Sequence, residues 1–142
     1  MNRVVHFEIH AKDLDAMQKF YEGLFDWKFQ AMGEAYGGYR VIVTGPGPDD
    51  MAKGVRMEDV GINGGMTARH GEPAALGAPV NGFVNIIGVE DTDAMMEKGV
   101  ALGGTVALPA MDIPHVGRVG YLLDPDHNIF GVLTPDVSGM QS

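Results

Sequence analysis

Three titratable residues alternate with apolar residues near the start of the chain: His6, Glu8 and His10 are separated by Phe7 and Ile9. Because successive side chains of a strand point to opposite faces, the polar residues should share one face, while Phe7 and Ile9 pack on a helix. Imidazoles titrate near neutral pH, and a neighbouring carboxylate raises their pKa. We therefore predict His6 and Glu8, with His10, as general acid–base residues. The alternative is a solvated polar row without chemistry.

The same residues could in principle hold a metal ion. Same-face neighbours on a strand lie about 6.5–7 Å apart, so His6 and Glu8 could converge on one divalent ion. His6 and His10 are about 13 Å apart and cannot both join it. We expect no metal and no other cofactor, and keep a divalent metal on His6 and Glu8 as the alternative.

Four further residues are candidates for ligand binding. Arg40 and Tyr121 lie on predicted strands and could hold an anionic or carbonyl group, although a shift of one residue would reverse the face. The thioether of Met66 suits an adaptable ligand contact, with core packing as the alternative. His115 lies in a proline-containing loop and could contact a ligand or be simply exposed. His127, in a late turn, is interpreted as structural or exposed.

Composition narrows the class of protein. The chain has 142 residues, of which 45% are hydrophobic, and a formal net charge of −9. That charge argues against nucleic-acid binding, which needs lysine and arginine against phosphate. There is no cysteine, no apolar run long enough to span a membrane and no signal-peptide pattern at the N-terminus. We therefore expect a cytoplasmic protein of one domain, without membrane or nucleic-acid partners.

An internal repeat predicts the organisation. Asp-Leu-Asp-Ala-Met at residues 13–17 returns as Asp-Thr-Asp-Ala-Met at residues 91–95, an offset of 78 residues. A repeat of this kind indicates a duplicated supersecondary unit. We predict one unit over residues 3–69, a linker over 70–81 and a second unit over 82–134.

Each unit reads as βαβββ, with a cleft where the two halves meet. Apolar residues at helical spacing predict helices over residues 13–25 and 91–102. Residues 109–116 read as a loop that contains prolines, and the chain from residue 134 should fray. The predicted strands cover residues 3–11, 27–29, 39–44, 60–69, 83–89, 105–108, 118–123 and 128–133.

Four segments together resemble the vicinal oxygen chelate superfamily, which contains glyoxalase I, extradiol dioxygenases, fosfomycin-resistance enzymes and bleomycin-binding proteins. The segments cover residues 6–29, 61–66, 83–104 and 113–132, and occur in the family's order. The resemblance implies an α+β fold of two tandem βαβββ modules, whose eight strands form a curved, partly open, barrel-like sheet around a cleft. It also implies a homodimer.

The resemblance further implies where a metal would be held. Members that use a metal take up to four ligands, from the first and last strands of both modules. The first of these positions matches His6, which is retained. The other three fall at Val84, at Gly131 and near Gly64 and Gly65, none of which carries a ligand group. The resemblance therefore implies a member that lacks the usual metal centre.

Two functions from different classes follow. The first is a glyoxalase-related small-molecule enzyme, of lyase, isomerase or dioxygenase-related type, in which His6 and Glu8 transfer a proton on a compact polar metabolite. The second is a protein that sequesters a small ligand or drug without catalysis, as bleomycin-resistance proteins do. A third is a structural or regulatory partner whose cleft is unused.

Overall fold

A computed structural model describes residues 6–46, 53–54, 61–78 and 82–136. The predictions for residues 3–5 and 60, and for the tail beyond residue 136, concern residues outside these ranges. The chain divides into two compact units, Met1–Glu72 and Pro73–Ser142. The division falls inside the predicted linker, next to its N-terminal end.

The first unit has one helix and one sheet of four strands. Its sheet has the order β1-β4-β3-β2, in which β1 runs parallel to β4 and the other pairs are antiparallel. Its elements are β1 (Phe7–Ala11), α1 (Leu14–Leu24), β2 (Lys28–Ala31), a short 3-10 helix (Glu34–Tyr36), β3 (Arg40–Val43) and β4 (Gly64–Ala68).

The second unit repeats this plan. Its sheet has the order β5-β8-β7-β6, again with the first strand parallel to the last. This confirms the predicted α+β fold of two βαβββ modules. No helix among the described residues is long and apolar enough to cross a membrane. The elements are β5 (Asn85–Gly88), α2 (Thr92–Ala101), β6 (Thr105–Ile113), β7 (Gly117–Leu123) and β8 (Ile129–Pro135).

The repeated aspartates start the two helices in the same way. Asp13 accepts a hydrogen bond from the backbone N–H of Ala16 at 3.0 Å, and Asp91 accepts one from Ala94 at 3.0 Å. Each carboxylate satisfies an N–H that the first turn of a helix leaves without a partner. The repeat in sequence is therefore also a repeat of the helix N-cap.

The core of the first unit lies between α1 and its sheet. Ile9, Ile42 and Met66 are buried on the face of the sheet that α1 covers, below a helix stripe that includes Met17 and Phe20. Because side chains alternate along a strand, the residues between these core residues point to the opposite face of the sheet, away from α1. The prediction that Ile9 packs towards a helix is confirmed.

Arginine–aspartate pairs connect each helix to its sheet. Arg40 donates to Asp15 at 2.7 Å and also to Gln18 at 2.8 Å. Arg118 donates through two nitrogens to Asp93, at 2.6 and 3.1 Å. Both members of the second pair are numbered 78 higher than those of the first. Planar guanidinium groups suit such anchors because they can donate several fixed hydrogen bonds at once.

Two predictions about the second unit were wrong. Residues 109–113 were expected to form a loop, but they continue β6. β6 is the edge strand of its sheet, and its pairing with β7 shifts register around Leu108. At such a position Pro109 does not remove a hydrogen bond between strands. Thr134 belongs to β8 and is held by Thr92, whose hydroxyl lies 2.8 Å from its own. The fraying predicted from Thr134 therefore does not begin there.

Candidate functional site

A cluster of three polar side chains lies on the face of the first sheet opposite α1. The Tyr39 hydroxyl donates to Glu8 Oε2 at 2.8 Å. His6 Nε2 lies 3.3 Å from the same Glu8 oxygen and 3.2 Å from the Tyr39 hydroxyl oxygen. The side chains of His6 and Glu8 are 48% and 42% exposed, so a small molecule can reach both. The predicted pairing of His6 with Glu8 thus gains a third member.

The connection between β2 and β3 delivers Tyr39 to this face. Its backbone N–H donates to Tyr36 O at 3.2 Å, and its carbonyl accepts from Met32 N at 2.9 Å. Gly37 and Gly38 precede it with φ of 66° and 79°, values that favour glycine. The chain therefore enters β3 with Tyr39 held by hydrogen bonds on both sides.

Two adjacent glycines make room for the neighbours of the cluster. Gly65 pairs with Glu8 in the ladder, and a Cβ added there would lie 1.7 Å from the Tyr39 hydroxyl oxygen. A Cβ at Gly64 would lie 2.4 Å from the carbonyl oxygen of Phe7. Real atoms cannot approach so closely, so both positions require the absence of a side chain. The last-strand ligand position near these glycines is thus covered by the Tyr39 phenol.

The cluster favours an ionised Glu8. The hydrogen bond from Tyr39 lowers the pKa of Glu8, against the opposing effect of burial. The hydrogen bond to His6 lowers this pKa further, as does the positive charge of His6 when its imidazole is protonated. The charge of His10 contributes last in the same direction. Burial and the bond to Glu8 raise the pKa of Tyr39. Near neutral pH the group is therefore a carboxylate that a neutral phenol solvates.

His10 shares the face with the cluster but lies one step further along β1. It pairs with Thr67 of β4, and Arg69 donates to its backbone carbonyl at 3.2 Å. Its electrostatic effect on Glu8 is the weakest of those described. The structure thus places His10 on the same sheet face as His6 and Glu8.

The structure places Arg40 and Met66 on the other face. Both point towards α1: Arg40 bonds to that helix, and Met66 is fully buried beside Ile9. Met66 therefore fits the alternative of core packing. Ligand contact by Arg40 remains a prediction, and it would require the Arg40 guanidinium to break its hydrogen bonds to α1.

The two candidates in the second unit also occupy different places. Tyr121 is half-buried on β7 and pairs with Gly131 of β8, where an added Cβ would lie 3.1 Å from its ring. His115 is exposed in the turn between β6 and β7, with a φ of 66°. The Nδ1 of His127 donates to the carbonyl oxygen of Ala74 at 2.7 Å, which agrees with a structural role.

The side chains at the metal positions do not fit a four-ligand centre. Gly131 lies against Tyr121 and Ile86, so both side chains limit the space for any larger residue there. Val84 and Gly65 also offer no donor atom. Within the described ranges, no three His, Cys, Asp or Glu side chains are placed to share one ion.

Sequence reasoning missed Tyr39 and favoured its neighbour Arg40. The signal was present in the alternation of β3, because Ile42 is the residue best suited to the core. If Ile42 points towards α1, Arg40 must point the same way and Tyr39 must share the face of Glu8.

Sequence comparison identifies the family. A sequence model of the Glyoxalase/Bleomycin resistance protein/Dioxygenase superfamily matches residues 3–132, and the chain belongs to this superfamily. It is 34% identical over 122 residues to "Putative glyoxylase CFP32" of Mycobacterium tuberculosis and to the protein of that name from Mycobacterium bovis. The match covers 85% of this chain but 40% of those relatives.

Solved structures with the same fold include fosfomycin resistance proteins and a glyoxalase-related enzyme. The fosfomycin resistance protein FosX of Listeria monocytogenes aligns with a TM-score of 0.68 and 15% identity, over 100% of this chain and 98% of its own. FosX of Mesorhizobium loti aligns with a TM-score of 0.63 and 19% identity, and the alignment covers 100% of this chain and 99% of that protein. A glyoxalase-related enzyme of Fulvimarina pelagi aligns with a TM-score of 0.60 and 20% identity, and the alignment covers 94% of this chain and 88% of that protein. These likenesses establish the fold.

Proposed function

We propose that the protein is a glyoxalase-related enzyme that transfers a proton on a compact polar metabolite without the usual metal centre. The observation that carries this proposal is the hydrogen-bonded cluster of Tyr39, Glu8 and His6 on an accessible sheet face. An imidazole next to an ionised carboxylate can take up a proton and return it during enolisation of a carbonyl compound. Loss of a carbon-bound proton to this pair is the step we assign to the site.

Chemistry of this kind can be tested without knowing the product. A panel of neutral hydroxyketones and hydroxyaldehydes of three to six carbons is incubated with the protein in D₂O, and exchange of carbon-bound hydrogen is followed by proton NMR. We expect Glu8→Gln to lower the rate of exchange by about 10²-fold or more, while Glu97→Gln, on the exposed face of α2, leaves it unchanged. Equal rates in the two variants would contradict the proposal.

A binding protein is the second candidate, favoured by the absence of donor atoms at Val84, Gly65 and Gly131. A thermal-shift screen separates it from the enzyme. A ligand at about 100 times its Kd stabilises the folded state by about 2.7 kcal/mol. A compound that stabilises the protein through the cluster, yet shows neither exchange nor turnover, would favour sequestration.

The proposal includes two further expectations. The protein should act as a homodimer, which light scattering of the purified chain would test. It should also be cytoplasmic, which fractionation of the source cells would test.

A further inference from the structure

The positions of the hydrogen atoms in the cluster follow from its geometry. A phenol has one proton, and Tyr39 gives it to Glu8 over the shortest contact of the three, 2.8 Å. An ionised carboxylate can only accept. His6 Nε2 therefore faces two acceptors, the Tyr39 oxygen at 3.2 Å and Glu8 Oε2 at 3.3 Å. The contacts are consistent only if Nε2 itself carries a proton.

We infer that neutral His6 is held in the Nε2–H tautomer by Glu8 and Tyr39, so that Nδ1 is the atom that takes a proton from the substrate. This deepens the proposed function and rests on it for the catalytic step. Glu8 then acts through His6 as an orienting carboxylate, and Tyr39 is a positioning residue. Within the described part of the chain, both hydrogen bonds of His6 use Nε2 and none uses Nδ1.

The step balances with these groups alone. A proton leaves a carbon or oxygen of the substrate and bonds to Nδ1, while the electron pair stays on the substrate as an enolate or alkoxide. His6 becomes an imidazolium whose Nε2–H still points to the Glu8 carboxylate, which stabilises the new positive charge. The returning proton comes from Nδ1, now exchanged with solvent. The substrate class is therefore a small neutral or cationic molecule with an acidic C–H or O–H.

Two features of the structure support this assignment of roles. Backbone hydrogen bonds hold the main chain of Tyr39 on both sides, and its hydroxyl donates to Glu8 at 2.8 Å. Gly65 gives the phenol the space it occupies, because any side chain there would displace it. The position of Glu8 is thus set from the neighbouring strands, as an orienting group requires.

The tautomer can be measured without a substrate. Long-range proton–nitrogen correlation spectra of the full chain, labelled with ¹⁵N-histidine, report which ring nitrogen carries the proton when the imidazole is neutral. The His6 signals are assigned by their loss in His6→Gln, and exposed His70 is the internal reference. We expect His6 Nε2 to be protonated, with a proton that exchanges with water more slowly than that of His70. Protonation of Nδ1 in the unaltered protein would overturn the inference.

Variants separate a fixed tautomer from the ordinary preference of imidazole. The double variant Tyr39→Phe, Glu8→Gln should lose the slow exchange of the Nε2 proton. The matched variant Tyr36→Phe, Glu97→Gln, which changes exposed residues of the same types, should keep it. Retention of slow exchange in the first variant would overturn the inference. If the first variant does not fold, the spectrum of the unaltered protein still decides the tautomer.

The kinetic test distinguishes this inference from the proposed function. Tyr39→Phe should lower kcat for deuterium exchange about five-fold at unchanged KM, the size expected for one lost hydrogen bond, while Tyr36→Phe changes neither. An unchanged kcat in Tyr39→Phe would contradict the positioning role. An active protein with a protonated Nδ1 would refute the inference alone, whereas the expected tautomer with no exchange on any compound would refute the proposed function alone.

Discussion

At the scale of single residues, Gly65 and Tyr39 depend on each other. Gly65 is buried in β4, and the phenol of Tyr39 fills the volume that a side chain would take. The bond from Tyr39 to Glu8 therefore exists only because residue 65 is a glycine.

Gly65→Ala is expected to displace Tyr39 and lower the free energy of unfolding by about 1–3 kcal/mol, the usual cost of overpacking. Urea denaturation measures this change. Gly88→Ala is the matched control, since Gly88 also lies in a strand but has open space around its Cβ position. Equal losses in the two variants would show that Tyr39 does not occupy the space beside Gly65.

The Tyr39–Glu8 bond also predicts a pH dependence. Tyr39 lowers the pKa of Glu8 in the folded protein. The Tyr39–Glu8 bond therefore stabilises the fold at pH values above the pKa that glutamate has in the unfolded chain. This stabilisation is lost as the pH falls through the lower pKa that Glu8 has in the folded protein. Tyr39→Phe should therefore raise the pKa of Glu8 and lower stability at pH 7 more than in acid. Since Glu8 is 42% exposed, we expect less than about 1 kcal/mol.

NMR titration of the Glu8 carboxyl carbon and urea denaturation at both pH values test this prediction. Tyr36→Phe should have neither effect, because Tyr36 is 65% exposed. A Glu8 pKa that is the same with and without the Tyr39 hydroxyl would contradict the account.

The residues of the site were only partly predictable from sequence. Strand alternation sufficed for His6 and Glu8, because both lie on one strand. Tyr39 belongs to another strand, and its place depends on the register between β3 and β4, which a single sequence does not specify. Arg40, in contrast, carries a group suited to ligands but bonds to α1, since the capped helix offers it Asp15.

At the scale of elements, the repeated N-caps should contribute equally. Asp13→Ala and Asp91→Ala each remove the bond to an N–H of the first helical turn, so each should lower the free energy of unfolding by about 1 kcal/mol. Urea denaturation of both variants checks this. Asp13→Asn and Asp91→Asn keep an acceptor oxygen and should retain most of the stability. Asparagine variants as unstable as the alanine variants would rule out capping.

Element type was more predictable than element length. The helices follow from their caps and apolar stripes, which are local signals. The length of β6 does not follow from local signals, because a proline such as Pro109 is typical of a loop unless the strand lies at the edge of its sheet. Edge position is a property of the folded sheet. For the same reason, the end of β8 could not be inferred from its polar residues, since Thr134 is held by Thr92 from a distant part of the chain.

At the scale of the whole molecule, the account predicts that the protein does not need a metal. Purified protein should contain less than one equivalent of any divalent metal, and dialysis against EDTA should leave its Tm unchanged, because His6 is the one residue with a donor group at the family's four ligand positions. Elemental analysis and a thermal melt measure both quantities. One equivalent of metal, together with a Tm that falls on its removal, would show that the ligands lie elsewhere.

The most direct test of the central claim, that proton transfer takes place at the His6 imidazole, is the rate of deuterium exchange in His6→Gln. His70→Gln is the control, because His70 is exposed and lies outside the cluster. For the compound of the panel that exchanges fastest, the account predicts that His6→Gln loses about 10²–10⁴-fold in rate while His70→Gln keeps the full rate. Exchange in His6→Gln at the rate of the unaltered protein would contradict it.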